Sequence, residues 1–539
     1  MSGLFYDRRK QFCPIPFWVG AFFLISLFFW SSAFSETPSA PISRTILSVE
    51  VIGNTLLSHN QIDQAIHPFI GKDLSLAEIN KIVAALTDAY RKNRFFLVKV
   101  YLPEQEIEAG KVQVSVSEGM IGNITVTGNR FYQTLFIKKH FEAGERHAMS
   151  LLESYKRATL LLNDYPDLKA EILFKPGAAL GTADLEVMVK DEQPMHLSFD
   201  YNNFGSRLIS RNRFGIGLDM GNLVQDGHML SLRANFGSPI HDLKYYQGEY
   251  TVPYGYTGKR VHLAYANGDF DAGEALSQLQ INMKTESVGL SVSYPFLKAH
   301  LQELLGKVGF EANNFMQPVL GRSDRIRVLR GGADYKRFVE HTRDLLSVTL
   351  TQGFGSIFGG DDAFTKGTVN WVRVRSIPQP YFIPHRYALI IAGSAQASSD
   401  GLAVSEQFAV GGPDAVRGYP FGAFLGDNGY LFSTELRASP FPNPEKIQAA
   451  IFLDHGGSFK KQQSSIEETN HFLTGVGFGA RYNFPGAISL QEPDPETQTS
   501  GYRIDYRFQI RADVGFPVGD RSVSQGRSPI FYLQAAGRF

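Results

Sequence analysis

The stretch "YRIDYRFQIRADVGF", Tyr502 to Phe516, decides the fold. Extended, it places Tyr502, Ile504, Tyr506, Phe508, Ile510, Ala512, Val514 and Phe516 on one face, and Arg503, Asp505, Arg507, Gln509, Arg511 and Asp513 on the other. Strands of soluble sandwiches also alternate. Here one face is almost wholly aromatic and aliphatic, the other carries mixed charge, and the run exceeds the usual soluble strand of about 5–6 residues. That polarity suits a transmembrane barrel, with lipid outside and water or a plug inside.

The pattern recurs nearby. In "FLTGVGFGARYNF", Phe472, Thr474, Val476, Phe478, Ala480 and Tyr482 form one face; Leu473, three glycines, Arg481 and Asn483 form the other. The chain ends "PIFYLQAAGRF", with Phe531, Leu533, Ala535, Gly537 and the terminal Phe539 on one face. A terminal aromatic closing an amphipathic strand is similar to an outer-membrane assembly signal. From about Met195 onward the helical signal largely disappears, which leaves room for roughly sixteen tilted strands of about ten residues each. "LKAHLQELLGKVGFEANNF" and "GFGSIFGGDDAFTKG" are ambiguous by pattern, though "GFGSIFGG" (Gly353–Gly360) lacks the following helix of a phosphate-binding loop and reads as a strand and turn.

Lys plus Arg and Asp plus Glu are both 53 in the 539 residues, so there is no basic field of the kind nucleic acid requires. The N-terminus reads as a secretory signal over 1–35: Arg8, Arg9 and Lys10, then the apolar "PIPFWVGAFFLISLFFW", then Ala33 and Ser35 as the small residues for cleavage before Glu36. The sole cysteine, Cys13, lies in that signal, so the mature chain can form neither disulfides nor thiolate metal sites.

Residues 45–192 differ in character. "LSVEVIGNTLLS" recurs in outline as "GNITVTGNRFYQ", each a short strand ending in Gly-Asn, at Gly53-Asn54 and Gly128-Asn129. Ser75 with Glu78, and Ser150 with Glu153, form capping boxes before helical runs. Strands near "FLVKVYLP", "KVQVSVSEG", "LKAEILF" and "ADLEVMVKD" complete the order β-α-α-β-β, twice. A three-stranded sheet of this kind has an open edge that can recruit an extended peptide.

The segment "YLPEQEIEAGKVQVSVSEGMIGNITVTGN" (Tyr101–Asn129) resembles the two-partner secretion transporters of Gram-negative outer membranes, the haemolysin secretion and activation proteins. In that family the first POTRA module ends with a similar Pro-x-Gln, then Gly, then Glu-Gly. The opening "FDYNNFGSRLISRNRFGIGLDMGNLVQDGHMLSLRANF" and the tetrapeptide Val416-Arg417-Gly418-Tyr419 are similar to the family's barrel start and to its Val-Arg-Gly-Tyr loop signature. The resemblance implies a signal peptide (1–35), a short linker (36–44), two periplasmic POTRA domains (45–119 and 120–192) and a sixteen-stranded all-β outer-membrane barrel (193–539). It implies that POTRA modules bind a large exoprotein through its N-terminal secretion domain, and that the barrel passes it unfolded to the cell surface. Outer-membrane lipid, periplasmic chaperones and the barrel assembly machinery are further implied partners. Family members often plug the barrel with an N-terminal helix; the nine residues "ETPSAPISR" are too few for that helix and a linker, so none is expected.

The stretch "GGPDAVRGYPFG" (Gly411–Gly422) holds one arginine among four glycines and two prolines, and can be neither helix nor good strand. The next hairpin is legible. In "YLFSTELRA", Tyr430, Phe432, Thr434 and Leu436 face lipid, so Glu435 and Arg437 face inward; in "KIQAAIFLDHGG", Gln448, Ala450, Phe452, Asp454 and Gly456 face inward. This Phe-x-Asp-x-Gly pattern resembles the family's partner motif. The expectation is an inward-folded loop in which Arg417 pairs with Asp454, with Glu435 nearby, Gly418 giving the turn and Tyr419 packing on the wall. Periodicity alone equally allows a solvated arginine at a loop tip.

A phosphate-binding loop is excluded, because no Gly-x-x-x-x-Gly-Lys pattern exists here. No Ser/His/Asp spacing stands out and the 13 histidines show no metal spacing, so neither catalytic nor metal residues nor a cofactor are expected. A passive porin and a barrel-assembly factor of the same superfamily are the competing functions; the POTRA-like modules argue against the porin.

Overall fold

The computed structural model describes residues 45–539, apart from 94, 96–97, 108–109, 119, 144–150, 179–181, 207–208, 272–281, 318–320, 378–385, 440–445, 462–469, 490–502 and 519–528. The signal with Ala33 and Ser35, the linker, the question of a plug, Tyr502 and the Ser150 cap lie outside the described residues.

The first module runs β1 (Ser48–Ile52), α1 (His59–Ile66), α2 (Leu76–Lys92), β2 (Lys99–Tyr101) and β3 (Lys111–Ser117). The second repeats it as β4 (Met120–Thr127), α3 (Thr134–Glu142), α4 (Leu151–Leu162), β5 (Leu168–Pro176) and β6 (Thr182–Asp191). In each, the last strand is central and parallel to the first. Ile79, Ile82, Leu86 and Tyr90 of α2 bury one face against Val112, Val114 and Val116 of β3. Each such side chain contributes about 1.5–3 kcal/mol, and this packing, more than propensity, holds helices of this length.

The motif residues at the module boundary have separate physical roles. Gln105 of the Pro-x-Gln accepts from Gln113 N (2.8 Å) and donates to Gln113 O (2.6 Å), filling the ladder of β3 where β2 has ended. Glu118 of the Glu-Gly accepts from Thr55 N (2.6 Å) and Leu56 N (2.9 Å), tying down the turn after Gly53-Asn54. Asp191 does the same for Arg130, Phe131 and Tyr132 in the second module. Two expectations need correction. The "FLVKVYLP" strand shortens to the three residues of β2. Ser75 caps α2 by accepting from Glu78 N (3.2 Å), but Glu78 turns its carboxylate to Lys81 (2.6 Å) instead of back to Ser75, so the box is half made. The returning side chain appears one helix earlier, where Ser58 N donates to Gln61 Oε1 (3.0 Å).

From Met195 the chain forms sixteen antiparallel strands that pair in chain order and close, with Ile530–Arg538 against Met195–Asn202. "LKAHLQELLGKVGF" resolves as a hairpin between Asn282–Lys298 and Gln302–Gln317. Ladders to strands on both sides override whatever helix preference its leucines carry. "GFGSIF" ends a strand and makes one turn. Large apolar side chains such as Phe199, Leu290, Ile451, Phe478 and Phe531 are exposed around the outside, a belt that only lipid can cover. Phe539 belongs to that belt, edge-on to Phe199 with centroids 6.3 Å apart, and exchanges backbone bonds with Leu197 (2.8 and 3.0 Å) beside the closing seam.

The second module is fixed by three hydrogen bonds to the turns at one end of the barrel. Gln133 N donates to Asp226 (2.9 Å), Arg157 to Pro295 O (2.6 Å), and Lys298 to Asp164 (2.7 Å). At the centre of this seam His140 of α3 is buried against Phe136, Tyr165 and Tyr256, with Arg260 over the Tyr165 ring and Lys139 over that of Tyr256. Burial drives the His140 pKa down from 6.5 to about 4; the Phe136 carbonyl opposes this and the Arg260 charge adds to it. An unfolded His140 protonates near 6.5 and the buried one only near 4, so the unfolded state binds more protons in between. The stability from neutral burial is whole above pH 6.5 and is lost as pH falls toward 4, a change of roughly 3 kcal/mol. Hydrogen exchange of Thr134–Glu142 should therefore quicken relative to its intrinsic rate between pH 7 and pH 5, and His140→Phe should flatten that dependence.

Candidate functional site

The strands Arg386–Ser398 and Asn428–Ser439 are joined, at the barrel end away from the small modules, by residues 399–427. This loop folds back into the lumen instead of standing above it. Its limbs pair as a short ladder, Phe408–Val410 with Phe424–Gly426, and Val410, Val416 and Tyr419 bury themselves against Leu473 of the wall.

Arg417 is 4% exposed and Asp454 fully buried. The guanidinium holds Asp454 as a fork, Nε to Oδ2 at 2.7 Å and Nη2 to Oδ1 at 2.9 Å, while Arg417 N also donates to Oδ2 (3.1 Å). Nη1 donates to Glu435 Oε2 at 2.6 Å, and the ring of Phe452 lies beneath the guanidinium carbon at 3.3 Å. Two carboxylates and an aromatic face thus surround one planar cation, a geometry a lysine cannot reproduce. Burial works against the Arg417 charge, but Asp454 and Glu435 outweigh it and hold the group even further above the ordinary arginine range. Gly418 adopts φ +102°, the left-handed region that favours glycine, and its N–H donates to the Tyr532 hydroxyl (3.1 Å). Tyr532 in turn donates to Tyr419 O (2.6 Å), and Tyr419 is buried on the wall. Gly456 lies under Val410, where a β-carbon would come within 3.3 Å of its side chain.

Several members of this cluster were not singled out from the sequence. Arg481 donates to Asp513 (2.5 Å) and Glu435 (3.3 Å); Arg511 donates to Asp513 (2.8 Å) and reaches the loop at Asp414 (2.8 Å) and Pro413 O (2.7 Å); Arg437 donates to Glu435 (2.6 Å). Strand parity had already placed all of these wall residues inward, and the missing signal was which strands face the loop. The inward glycines of "FLTGVGFGARYNF" supply it in retrospect. A β-carbon on Gly475 would lie 1.8 Å from the Arg417 carbonyl, so the wall is bare where the loop backbone rests.

A second anchor, also missed, holds the loop's other limb. The buried Glu406 accepts from Lys366 (2.5 Å) and from Arg330 (2.7 Å), and its backbone carbonyl accepts from Lys366 and Gln396 (both 3.0 Å). Burial alone would raise the Glu406 pKa, yet the two cations hold it below the ordinary carboxylate range. Among the described residues no three His, Cys, Asp or Glu are placed to hold a metal ion.

A closed sixteen-stranded barrel, an internal loop bolted to its wall and small α/β modules at one rim define a POTRA-bearing outer-membrane transporter. The chain belongs to the family of the haemolysin secretion/activation proteins ShlB/FhaC/HecB: that family's model matches residues 181–482, and the ShlB-type POTRA domain matches 45–119. It is 23% identical over 451 residues to the heme/hemopexin transporter protein HuxB of Haemophilus influenzae, covering 78% of each chain. It is 24% identical over 503 residues to the outer membrane transporter CdiB of Escherichia coli, covering 89% of this chain and 84% of that one. The fold is similar to the solved structure of CdiB from Escherichia coli, with TM-score 0.71, 18% identity, and 94% and 93% of the two chains covered. The protein is therefore an outer-membrane barrel of the two-partner secretion family, and the rim that carries the POTRA modules faces the periplasm.

Gly475→Val should dislodge the loop without opening the barrel, since its new atoms collide with the Arg417 carbonyl. In planar bilayers the variant should show larger or longer-lived conductance steps than wild type while still migrating as a heat-modifiable barrel.

Proposed function

We propose that this chain exports one large exoprotein, recognising its N-terminal secretion domain through the POTRA modules and passing it unfolded through the barrel without ATP. The observation that carries the reading is the lumenal loop, whose only buried arginine is gripped by Asp454 and Glu435. A passive pore needs no periplasmic docking module such as the POTRA domain over 45–119, and a transporter of one cargo needs a closure that can be undone. Breaking one side of a buried ion pair costs about 3–5 kcal/mol, enough to hold the loop at rest yet small beside the sixteen ladders of the barrel. Release of the Arg417 loop is the opening step in this reading, and no catalysis is involved.

POTRA docking uses the free edge at β2. Beside it, Leu74, Leu76, Leu102, Pro103 and Ile107 line a groove of about 590 Å³, and Leu76 is 67% exposed. An extended strand of the exoprotein added at that edge would lay alternate side chains into the groove.

Three outcomes test this. Arg417→Ala, and equally Arg417→Lys, should cut exoprotein in the culture supernatant to a small fraction of wild type while a heat-modifiable barrel remains in the outer membrane; normal export by both would overturn the latch. Loss of one large secreted protein on gene deletion indicates export, whereas general loss of outer-membrane barrels would indicate an assembly factor. Leu76→Glu should weaken binding of the exoprotein's secretion domain by about tenfold or more, the cost of placing a charge in an apolar contact. Circular dichroism of the variant should be unchanged.

A further inference from the structure

We propose that the periplasmic half of the lumen, below the latch, is a binding site for the carboxylates of an extended acidic polypeptide; this rests on the export reading above. A cavity of about 740 Å³ opens there, and Arg437, Lys446, Arg481, Arg507 and Arg511 line it. Among the described residues its lining holds no carboxylate, and the remaining polar groups there are uncharged amides such as Gln448, Asn483, Gln509 and Gln534.

The charges are unevenly spent. Arg417, Arg437, Arg481 and Arg511 are matched by Asp414, Glu435, Asp454 and Asp513, all in or against the latch. Arg507 and Lys446 have no carboxylate partner among the described residues, and the Lys446 ammonium rests 5.9 Å from the Phe484 ring. A guanidinium has five N–H donors, so Arg437, Arg481 and Arg511 retain capacity on the cavity side. Arg437, Arg481 and the pair Arg507 and Arg511 sit on three strands of the wall, with Lys446 just before a fourth; neighbouring strands lie about 4.8 Å apart, and this spread suits carboxylates along a chain better than a single small anion.

The site also has a direction. Strand Asn470–Ser489 pairs with Arg503–Val518 down to Ser489–Arg503, past the last pairs of their outer neighbours at Ile447–Tyr482 and Arg507–Arg538. The inner face of this projecting hairpin, with Asn483 and Arg507, therefore forms the cavity's periplasmic lip. A carboxylate arriving there meets Arg507 and Lys446 first and Arg481 and Arg511 next. At Arg481 it competes with Glu435 and Asp513, the same acids that surround Arg417, so cargo entering from below loosens the latch above it.

The test uses the full-length protein in planar bilayers, with a synthetic oligo-glutamate peptide, an oligo-lysine peptide or free glutamate added on the periplasmic side. Oligo-glutamate should block or modulate conductance at concentrations about tenfold or more below those of oligo-lysine, with the difference collapsing at high salt. The double variant Arg507→Gln with Lys446→Gln should weaken the oligo-glutamate effect about tenfold, and Arg507→Lys alone should preserve it. Equal action of the two peptides, or an unchanged double variant that is still heat-modifiable, would overturn the site. Free glutamate acting as well as the peptide at equal carboxylate concentration would overturn the polypeptide assignment. None of these readouts involves secretion, so failure of the export reading, seen in cells with Arg417→Ala, is distinguishable from failure of this one.

Discussion

A backbone amide in hydrocarbon has no water to bond, so a sheet that crosses a membrane must close on itself. The pairing of Ile530–Arg538 with Met195–Asn202 meets that demand, and much else follows from it. Closure sends alternate residues outward and inward on every strand. The outward set is apolar by necessity, and the inward set is free to be charged. The lumen is the one place in the barrel where a buried ion cluster can be assembled without facing lipid, and the cluster around Arg417 is there.

The loop and the wall are complementary in two senses. Electrically, the loop brings a cation at Arg417 and an anion at Glu406, and the wall answers with Asp454 and Glu435 at one and Arg330 and Lys366 at the other. Sterically, the wall withdraws its side chains at Gly475, where the loop backbone lies. Neither match works alone. A bulky wall would keep the arginine from its partners, and a smooth wall without carboxylates would leave a desolvated charge unpaired.

The barrel was legible because its signal is repeated: the alternation in Phe472–Phe484 and Tyr502–Phe516 reports a physical boundary, lipid against water, that every strand shares. The β-α-α-β-β modules were legible because caps and apolar stripes act over three or four residues. Asp454 and Glu435 could be placed inward by parity, since a one-residue slip would put either in lipid. Asp513 and Arg481 shared that parity, but their partners are 32 and 46 residues away along the chain; Glu406 sits in the loop, where parity says nothing, and its wall partners Lys366 and Arg330 are 40 and 76 residues away. No local rule couples such residues; closure brings them together. Glu78 was misread for the opposite reason: a local rule was satisfied, and a nearer cation at Lys81 took the side chain.

The two anchors of the loop grip different arcs of the barrel. Glu406 joins the eighth and tenth strands, while Arg417 joins the twelfth and thirteenth and Gly418 the sixteenth. A ring of sixteen strands is held along its circumference by backbone hydrogen bonds, and nothing in those ladders fixes the distance across it. A segment tied to two arcs is a brace across that ring. It sets the distance between those arcs as well as the bore, and in the opening proposed above, release of the arginine end would leave that distance to the wall alone.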